Sequence, residues 1–286
     1  MIFQLLIVLA AIVIGARKGG IGLGVAGGLG LAVLTFGFGL RPTSPPIDVM
    51  LMIAAVIAAA SCMQAAGGLD LMVKWAERLL RRHPQHITLL SPLVTYLFTL
   101  LAGTGHVAYS ILPVIAEVAT ETKVRPERPL SIAVIASQQA ITASPISAAT
   151  VVLLSMLAGY DITLIDIMKI AIPCTMAGVL LGALYSMKIG KELADDPEYR
   201  RRLAEGAFES KHRHTREVEN PRGALLSVVL FLVATVGIVI FGSSEALRPV
   251  FHTNEGTVPM QMSHIIEILM LSAAALMLIG TRTNGI

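Results

Sequence analysis

Long apolar runs with almost no charge fill this 286-residue sequence, and their lengths decide what it can fold into. They span residues 2–16, 19–40, 47–66, 87–119, 130–157, 170–187, 224–241 and 264–280. A helix needs about 20 apolar residues to cross a bilayer, within a range of roughly 17–25. In hydrocarbon every backbone polar group must be satisfied internally, so runs of this length predict spanning helices. Charged residues make up only 14% of the chain, against about 25% in soluble proteins. An all-α polytopic membrane protein is expected, and a soluble enzyme, a disordered chain and a secreted disulfide scaffold are excluded. The first run lacks a basic leader, and Arg17 and Lys18 follow it, so it reads as a retained span and not a signal peptide.

The net charge of +3 does not point to nucleic acid, because the basic residues flank the apolar runs. Nineteen of the 22 fall at Arg17 and Lys18, in 70–86, 120–129 and 188–222, and at Arg282. Basic residues mark cytoplasmic loops, so all five groups are expected inside, with Arg41, Lys169 and Arg248 outside. The N-terminus is then periplasmic and residue 286 cytoplasmic.

That orientation puts both ends of 87–119 on one side. Its two halves, about 21–24 Å each as helix, are short for a hydrocarbon core about 30 Å thick. A re-entrant hairpin with its tip at Gly103, Thr104, Gly105 and His106 is therefore expected. The centre of 130–157 reads Ser137-Gln138-Gln139-Ala140-Ile141-Thr142-Ala143-Ser144-Pro145. Pro145 removes a helical hydrogen bond and disfavours helix at Ser144. Ser144 suits an N-cap and Pro145 a first helical position, so two half-helices with an unwound middle are expected.

Paired broken helices at the membrane midplane are the usual pointer to a transporter site. Half-helix starts offer free N–H groups and partial positive charge, which suit an anion. Neither segment contains Lys or Arg. The expected substrate-binding set is Gly103, Thr104, Gly105, His106, Ser137, Gln138, Gln139, Thr142, Ser144, Pro145 and Ser147. His106 serves either as a hydrogen-bond donor or proton carrier, or as an inert partnered histidine. Hydroxyls bonding their own helix, with a simple proline kink, are the plain alternative for each segment.

Other motifs are weaker. Gly22, Gly24 and Gly27 fit G-x-G-x-x-G, but no strand precedes them. Gly20, Gly24 and Gly28 read instead as a small-residue stripe for helix packing. Residues 69–82 form an amphipathic pattern expected at the cytoplasmic interface, with Trp75 at headgroup level. His212 and His214 are too sparse for a metal site, and Cys62 and Cys174 read as small buried hydrophobes. No nucleophile–base set or metal-ligand set is visible, so no enzyme activity and no cofactor are expected; coupling to H+ or Na+ is open.

At these residues the sequence resembles the anaerobic C4-dicarboxylate transporter family (Dcu), and within it the DcuB-like fumarate/succinate antiporters more than the DcuA-like ones. The matching stretches are 15–21 (GARKGGI), 64–70 (QAAGGLD), 79–82 (LLRR), 103–106 (GTGH), 125–129 (RPERP) and 143–147 (ASPIS). The resemblance implies exchange of fumarate, malate or aspartate for succinate across a bacterial inner membrane by alternating access. It also implies inverted repeats like those of the ion-transporter superfamily, each with a hairpin and a broken helix. The family continues with a second hairpin and broken helix, so the chain is expected to be an N-terminal fragment. Residues 1–187 would form the first repeat, 188–222 a charged cytoplasmic loop, and 223–286 the first helices of the second. Membrane lipid, a homo-oligomer and a sensor protein are the partners considered, and no nucleic acid. A membrane interaction or regulatory protein acting through the cytoplasmic loop is the alternative function.

Overall fold

The computed structural model describes residues 1–45, 47–157, 160, 162–190, 193–204, 218–253 and 256–281. His212, His214, Arg282 and residues 191–192 and 205–217 of the charged loop lie outside the described residues. The chain forms two compact units, Met1–Ile47 and Asp48–Ile286.

In the first unit, α1 (Ile2–Lys18) and α2 (Ile21–Ala32) are joined at Gly19 and Gly20, both with positive φ, and a π-helical turn, Val33–Gly37, follows. Arg17 and Lys18 sit in the last turn of α1, where cations suit the negative helix end. A side-chain carbon at Gly15 would lie 2.7 Å from the Leu23 backbone, and one at Gly30 would lie 3.0 Å from Ala11. The two helices therefore touch along Leu23, Ala26 and Gly30. The expected stripe does not make this contact. Gly24 and Gly28 face open space and Gly20 lies in the turn, because α2 is rotated to bring positions 23, 26 and 30 onto α1.

The second unit runs α3 (Ile47–Ala65), α4 (Gly68–Arg82), α5 (Ile87–Ala102), α6 (His106–Glu121), α7 (Glu127–Ala143), α8 (Ala148–Met156), α9 (Leu164–Ser186), α10 (Pro197–Ala204), α11 (Pro221–Ser243) and α12 (Met262–Thr281). A two-stranded antiparallel hairpin, β1 (Val250–Thr253) and β2 (Gly256–Pro259), joins α11 to α12, with Val250 opposite Pro259. The all-helical expectation missed this hairpin.

Six stretches among the described residues are long and apolar enough to cross a membrane: Ile47–Ala65, Pro84–Ala102, Glu127–Met156, Leu164–Ser186, Pro221–Ser243 and Met262–Thr281. α1, with 17 residues, and Ile21–Gly37 fall just short of that length. The polytopic, mostly helical architecture is as expected. A continuous apolar core links α3, α4, α5, α6, α11 and α12 through residues such as Met52, Leu80, Ile111, Phe231 and Met270.

α9 begins six residues earlier than the apolar run suggested. A capping box starts it: Asp166 N–H donates to Thr163 Oγ1, and Thr163 N–H donates to Asp166 Oδ2 at 3.1 Å. The charges of Asp166 and Lys169 look like a loop in sequence but form the first turns of the helix.

Candidate functional site

α5 and α7 run side by side in the same direction. Ser91 Oγ donates to the Pro129 carbonyl at 3.3 Å, and Thr99 Oγ1 bonds Ser137 Oγ at 3.0 Å, so both links join residues 38 apart. A constant offset means parallel helices in register. The seam consists of small and hydroxyl residues: Ser91, Thr95 and Thr99 face Ala133, Ala136, Ser137 and Ala140, all fully buried. Thr95 Oγ1 bonds back to the Ser91 carbonyl at 2.7 Å, so no donor is wasted in the apolar surroundings. Tyr96 adds α9 by bonding Thr175 at 2.7 Å.

Parallel registration carries both chains to interruptions at one level. α5 ends at Gly103, whose φ of 69° is the left-handed conformation that stops a helix; its N–H closes on the Thr99 carbonyl at 2.9 Å. Gly105 then caps α6, which turns back. α7 ends at Ala143. Ser144 is extended with ψ 131°, as a residue before proline must be, and α8 begins at Ala148.

The second break is shorter and later than expected. Ser137, Gln138, Gln139 and Thr142 remain helical, and only 144–147 is unwound. The N-cap of α8 is Ser147 and not Ser144. Ser147 Oγ accepts from Thr150 N–H at 3.2 Å and bonds Thr150 Oγ1 at 2.9 Å, while Thr150 Oγ1 also reaches the Thr142 carbonyl. The Ser-x-x-Thr pair supplies a cap that Pro145 cannot, so the helix starts there.

The two breaks touch. A side-chain carbon at Gly103 would sit 2.6 Å from Ile146 Cγ1, and one at Gly105 would sit 3.1 Å from Gln138 Nε2 and 3.4 Å from Ser137 Oγ. Gly103, Gly105, Ser137, Gln138 and the segment 144–147 are thus brought together, with half-buried Thr104 in the turn between the glycines. Ser144 is fully buried and its hydroxyl has no hydrogen-bond partner among the described residues. An unsatisfied buried hydroxyl costs about 1–3 kcal/mol, so its presence needs a reason. Pro145 is buried beside it.

Other expected site residues behave differently. Gln139 and Thr142 share with Gln138 an exposed face of α7, and Thr142 Oγ1 donates to its own helix at the Gln139 carbonyl, 2.7 Å away. Ser147 spends its oxygen on the cap. His106 opens α6, and its side chain lies outside the described residues. Sequence reasoning missed Thr99, Ile146 and Thr150. The signal for Thr99 was present as Ser91-x-x-x-Thr95-x-x-x-Thr99-x-x-x-Gly103, a small-residue repeat on one helix face.

Ionic contacts hold the far ends of these helices. Arg81 on α4 bonds Glu77 and Glu117 at 2.9 Å and also Glu121, tying α4 to the end of α6. Partial burial opposes its charge, but the hydrogen bonds it donates to Glu77 and Glu117 and the charge of Glu121 hold its pKa above the ordinary arginine value. Arg128, in the first turn of α7, donates to the carbonyls of Ile189 and Gly190 beyond the end of α9. Arg125 pairs with Asp196 at 3.1 Å. The Tyr199 N–H, the Glu198 N–H and Arg125 hold the Asp196 carboxyl below the usual range. Among the described residues no group of three or more His, Cys, Asp or Glu could hold a metal ion.

A multi-pass membrane protein with two adjoining helix breaks is the class these features define. Residues 1–285 match the family described as anaerobic C4-dicarboxylate membrane transporter, and the chain belongs to that family. It is 50% identical to the C4-dicarboxylate transporter DcuA of Wolinella succinogenes over 85% of the chain and 56% of that relative. It is 47% identical to DcuA of Escherichia coli K12 over 96% of the chain and 63% of the relative. To the anaerobic C4-dicarboxylate transporter DcuB of Escherichia coli O157:H7 it is 41% identical, over 98% of the chain and 64% of the relative. The chain thus spans 56–64% of the length of these relatives. The identities are higher to the DcuA proteins, opposite to the expected DcuB leaning, which rested on short motifs and not on the whole alignment. No solved structure matches the chain.

Proposed function

We infer that this chain supplies a dicarboxylate-binding half of a secondary transporter that exchanges fumarate or related C4-dicarboxylates for succinate across a bacterial inner membrane. The observation that carries this reading is the meeting of two Lys- and Arg-free helix breaks, Gly103 against Ile146, with the unpartnered Ser144 hydroxyl in the same unwound segment as Ile146. A dianion is held there by the N-terminal N–H groups of α6 and α8, the Ser144 hydroxyl and the Gln138 amide. Dipoles and hydroxyls suit a carrier, because a fixed buried charge would be costly in the empty state.

In this reading α5 and α6 form a re-entrant hairpin: α6, with 16 residues, gives about 24 Å, short of a full crossing, and α5 reaches spanning length only together with the Pro84–His86 turn. The exposed face bearing Gln138, Gln139 and Thr142 is where a second set of polar groups completes the site, as inverted-repeat transporters require. Residues 1–187 act as one repeat and 223–286 as the start of its inverted counterpart, with basic loops, and so residue 286, cytoplasmic and the N-terminus periplasmic. His106 is the residue of this site able to carry a proton, which makes H+ a coupling candidate beside Na+.

The test is uptake of labelled fumarate into succinate-loaded proteoliposomes. Exchange that drops at least tenfold in the combined Thr104→Ala, His106→Ala, Ser144→Ala variant supports the site. Undiminished exchange by that variant rejects it, and absence of exchange by the unaltered chain rejects self-sufficient transport.

A further inference from the structure

α4 has two faces, and among the described residues only one is packed against the rest of the second unit. Leu69, Met72, Val73, Ala76 and Leu80 are buried in the second unit's core. The opposite arc, at 100° per residue, reads in order Lys74, Arg78, Leu71, Arg82, Trp75 and Leu79. Arg78, Arg82, Trp75 and Leu79 are exposed and Lys74 is partly so. The arc contains no acidic residue. Glu77 lies beyond its edge, bonded to Arg81. Lys74, Arg78 and Arg82 make no ion pair among the described residues, whereas Arg81 engages three carboxylates. One edge of the arc is thus cationic and the adjoining edge is a large indole and a leucine.

The position of α4 fixes what such an edge can meet. Its last turn feeds through the Pro84–His86 turn into the start of α5, and Arg81 bonds Glu117 and Glu121 at the end of α6. The C-terminal half of α4 therefore lies level with the point where apolar helices end, at the membrane boundary. There, arginine and lysine reach headgroups while tryptophan and leucine enter the acyl boundary.

We propose that the Lys74–Arg78–Arg82 edge of α4 binds the phosphate headgroups of anionic phospholipid, with Trp75 and Leu79 seated in the acyl region beside them. An acidic protein segment would satisfy the cations but would leave Trp75 and Leu79 without an apolar partner. The charge of the edge sets the preference, since each basic side chain near an anionic surface strengthens attraction about fivefold.

Trp75 is the sole tryptophan of the chain, so its fluorescence reports this edge alone. The experiment reconstitutes the 286-residue chain in phosphatidylcholine vesicles containing phosphatidylglycerol, with bromine placed on the acyl chains of one lipid or the other. Brominated phosphatidylglycerol should quench Trp75 about fivefold more than brominated phosphatidylcholine at equal mole fraction. Lys74→Gln with Arg78→Gln and Arg82→Gln should bring that ratio close to one while both lipids still quench. Equal quenching by the two lipids in the unaltered chain overturns the anionic preference. Failure of either lipid to quench shows protein covering Trp75 and also overturns the proposal. Neither result depends on which solute the protein carries.

Discussion

The two chain breaks lie against each other yet are held open by different means. At the first, Gly103 stops α5 through positive φ and through the absence of a side chain where Ile146 approaches. At the second, Pro145 blocks helix at Ser144, and a hydroxyl relay from Ser147 through Thr150 to the Thr142 carbonyl restarts it. One is a steric fit and the other a hydrogen-bonded construction. At the steric break the Gly103 N–H closes on the Thr99 carbonyl, while at the hydrogen-bonded one the Ser144 hydroxyl has no partner among the described residues. The contrast teaches that the fold uses the glycine, the cap and the Ser144 backbone, whereas the Ser144 hydroxyl makes no hydrogen bond among the described residues.

The largest effect should come from the steric side. Gly103→Val combines a left-handed backbone, costing about 1–2 kcal/mol, with overpacking against Ile146, costing about 1–3 kcal/mol. Thermal unfolding in detergent should show a large drop in Tm, partly restored by Ile146→Ala. A Tm within experimental error of the unaltered chain would mean that the breaks do not touch.

Ser147→Ala should cost about 1 kcal/mol by loss of the cap, with faster hydrogen exchange at the Thr150 amide. The Thr99–Ser137 pair should be coupled more weakly, by about 0.6 kcal/mol as for other buried hydroxyl pairs in membranes. A double-mutant cycle of Thr99→Ala and Ser137→Ala measures it, and a zero coupling would remove the registration of α5 and α7.

Lowering the pH should separate the breaks from the outer ends of the helices. Neither 103–105 nor 144–147 contains a carboxylate. Asp196 does titrate, and its depressed pKa means that its contribution is present above the ordinary carboxyl value and is lost as pH falls through the folded one. Below about pH 4, amides of α10 should exchange faster while the Thr150 amide keeps its protection. Equal change at both would show that the outer contacts hold the breaks.

Much of this layout could be read from apolar length and from punctuation. Gly103, Pro145 and the absence of Lys and Arg nearby located both interruptions, because a helix stop in a membrane run has few explanations. The cap position was not legible, since Ser144 and Ser147 are both plausible starts until Thr150 is seen to bond the second. The beginning of α9 was hidden because Asp166 and Lys169 resemble a loop unless the capping box is recognised. The glycine stripe of α2 misled for a different reason: spacing identifies a face but not which face a neighbour will choose. Parallel pairing of α5 and α7 is a tertiary choice, encoded only faintly in the repeat from Ser91 to Gly103.

The central claim is that the unpaired Ser144 hydroxyl, at the junction of the two breaks, is reserved for a dicarboxylate. Equilibrium binding of labelled succinate to the purified chain in nanodiscs tests it most directly, with Ser144→Ala as the single change. The account predicts that Ser144→Ala weakens binding about tenfold, the worth of one hydrogen bond to a charged group, while Tm stays the same or rises. Undiminished affinity, or a fall in Tm with affinity unchanged, would contradict it.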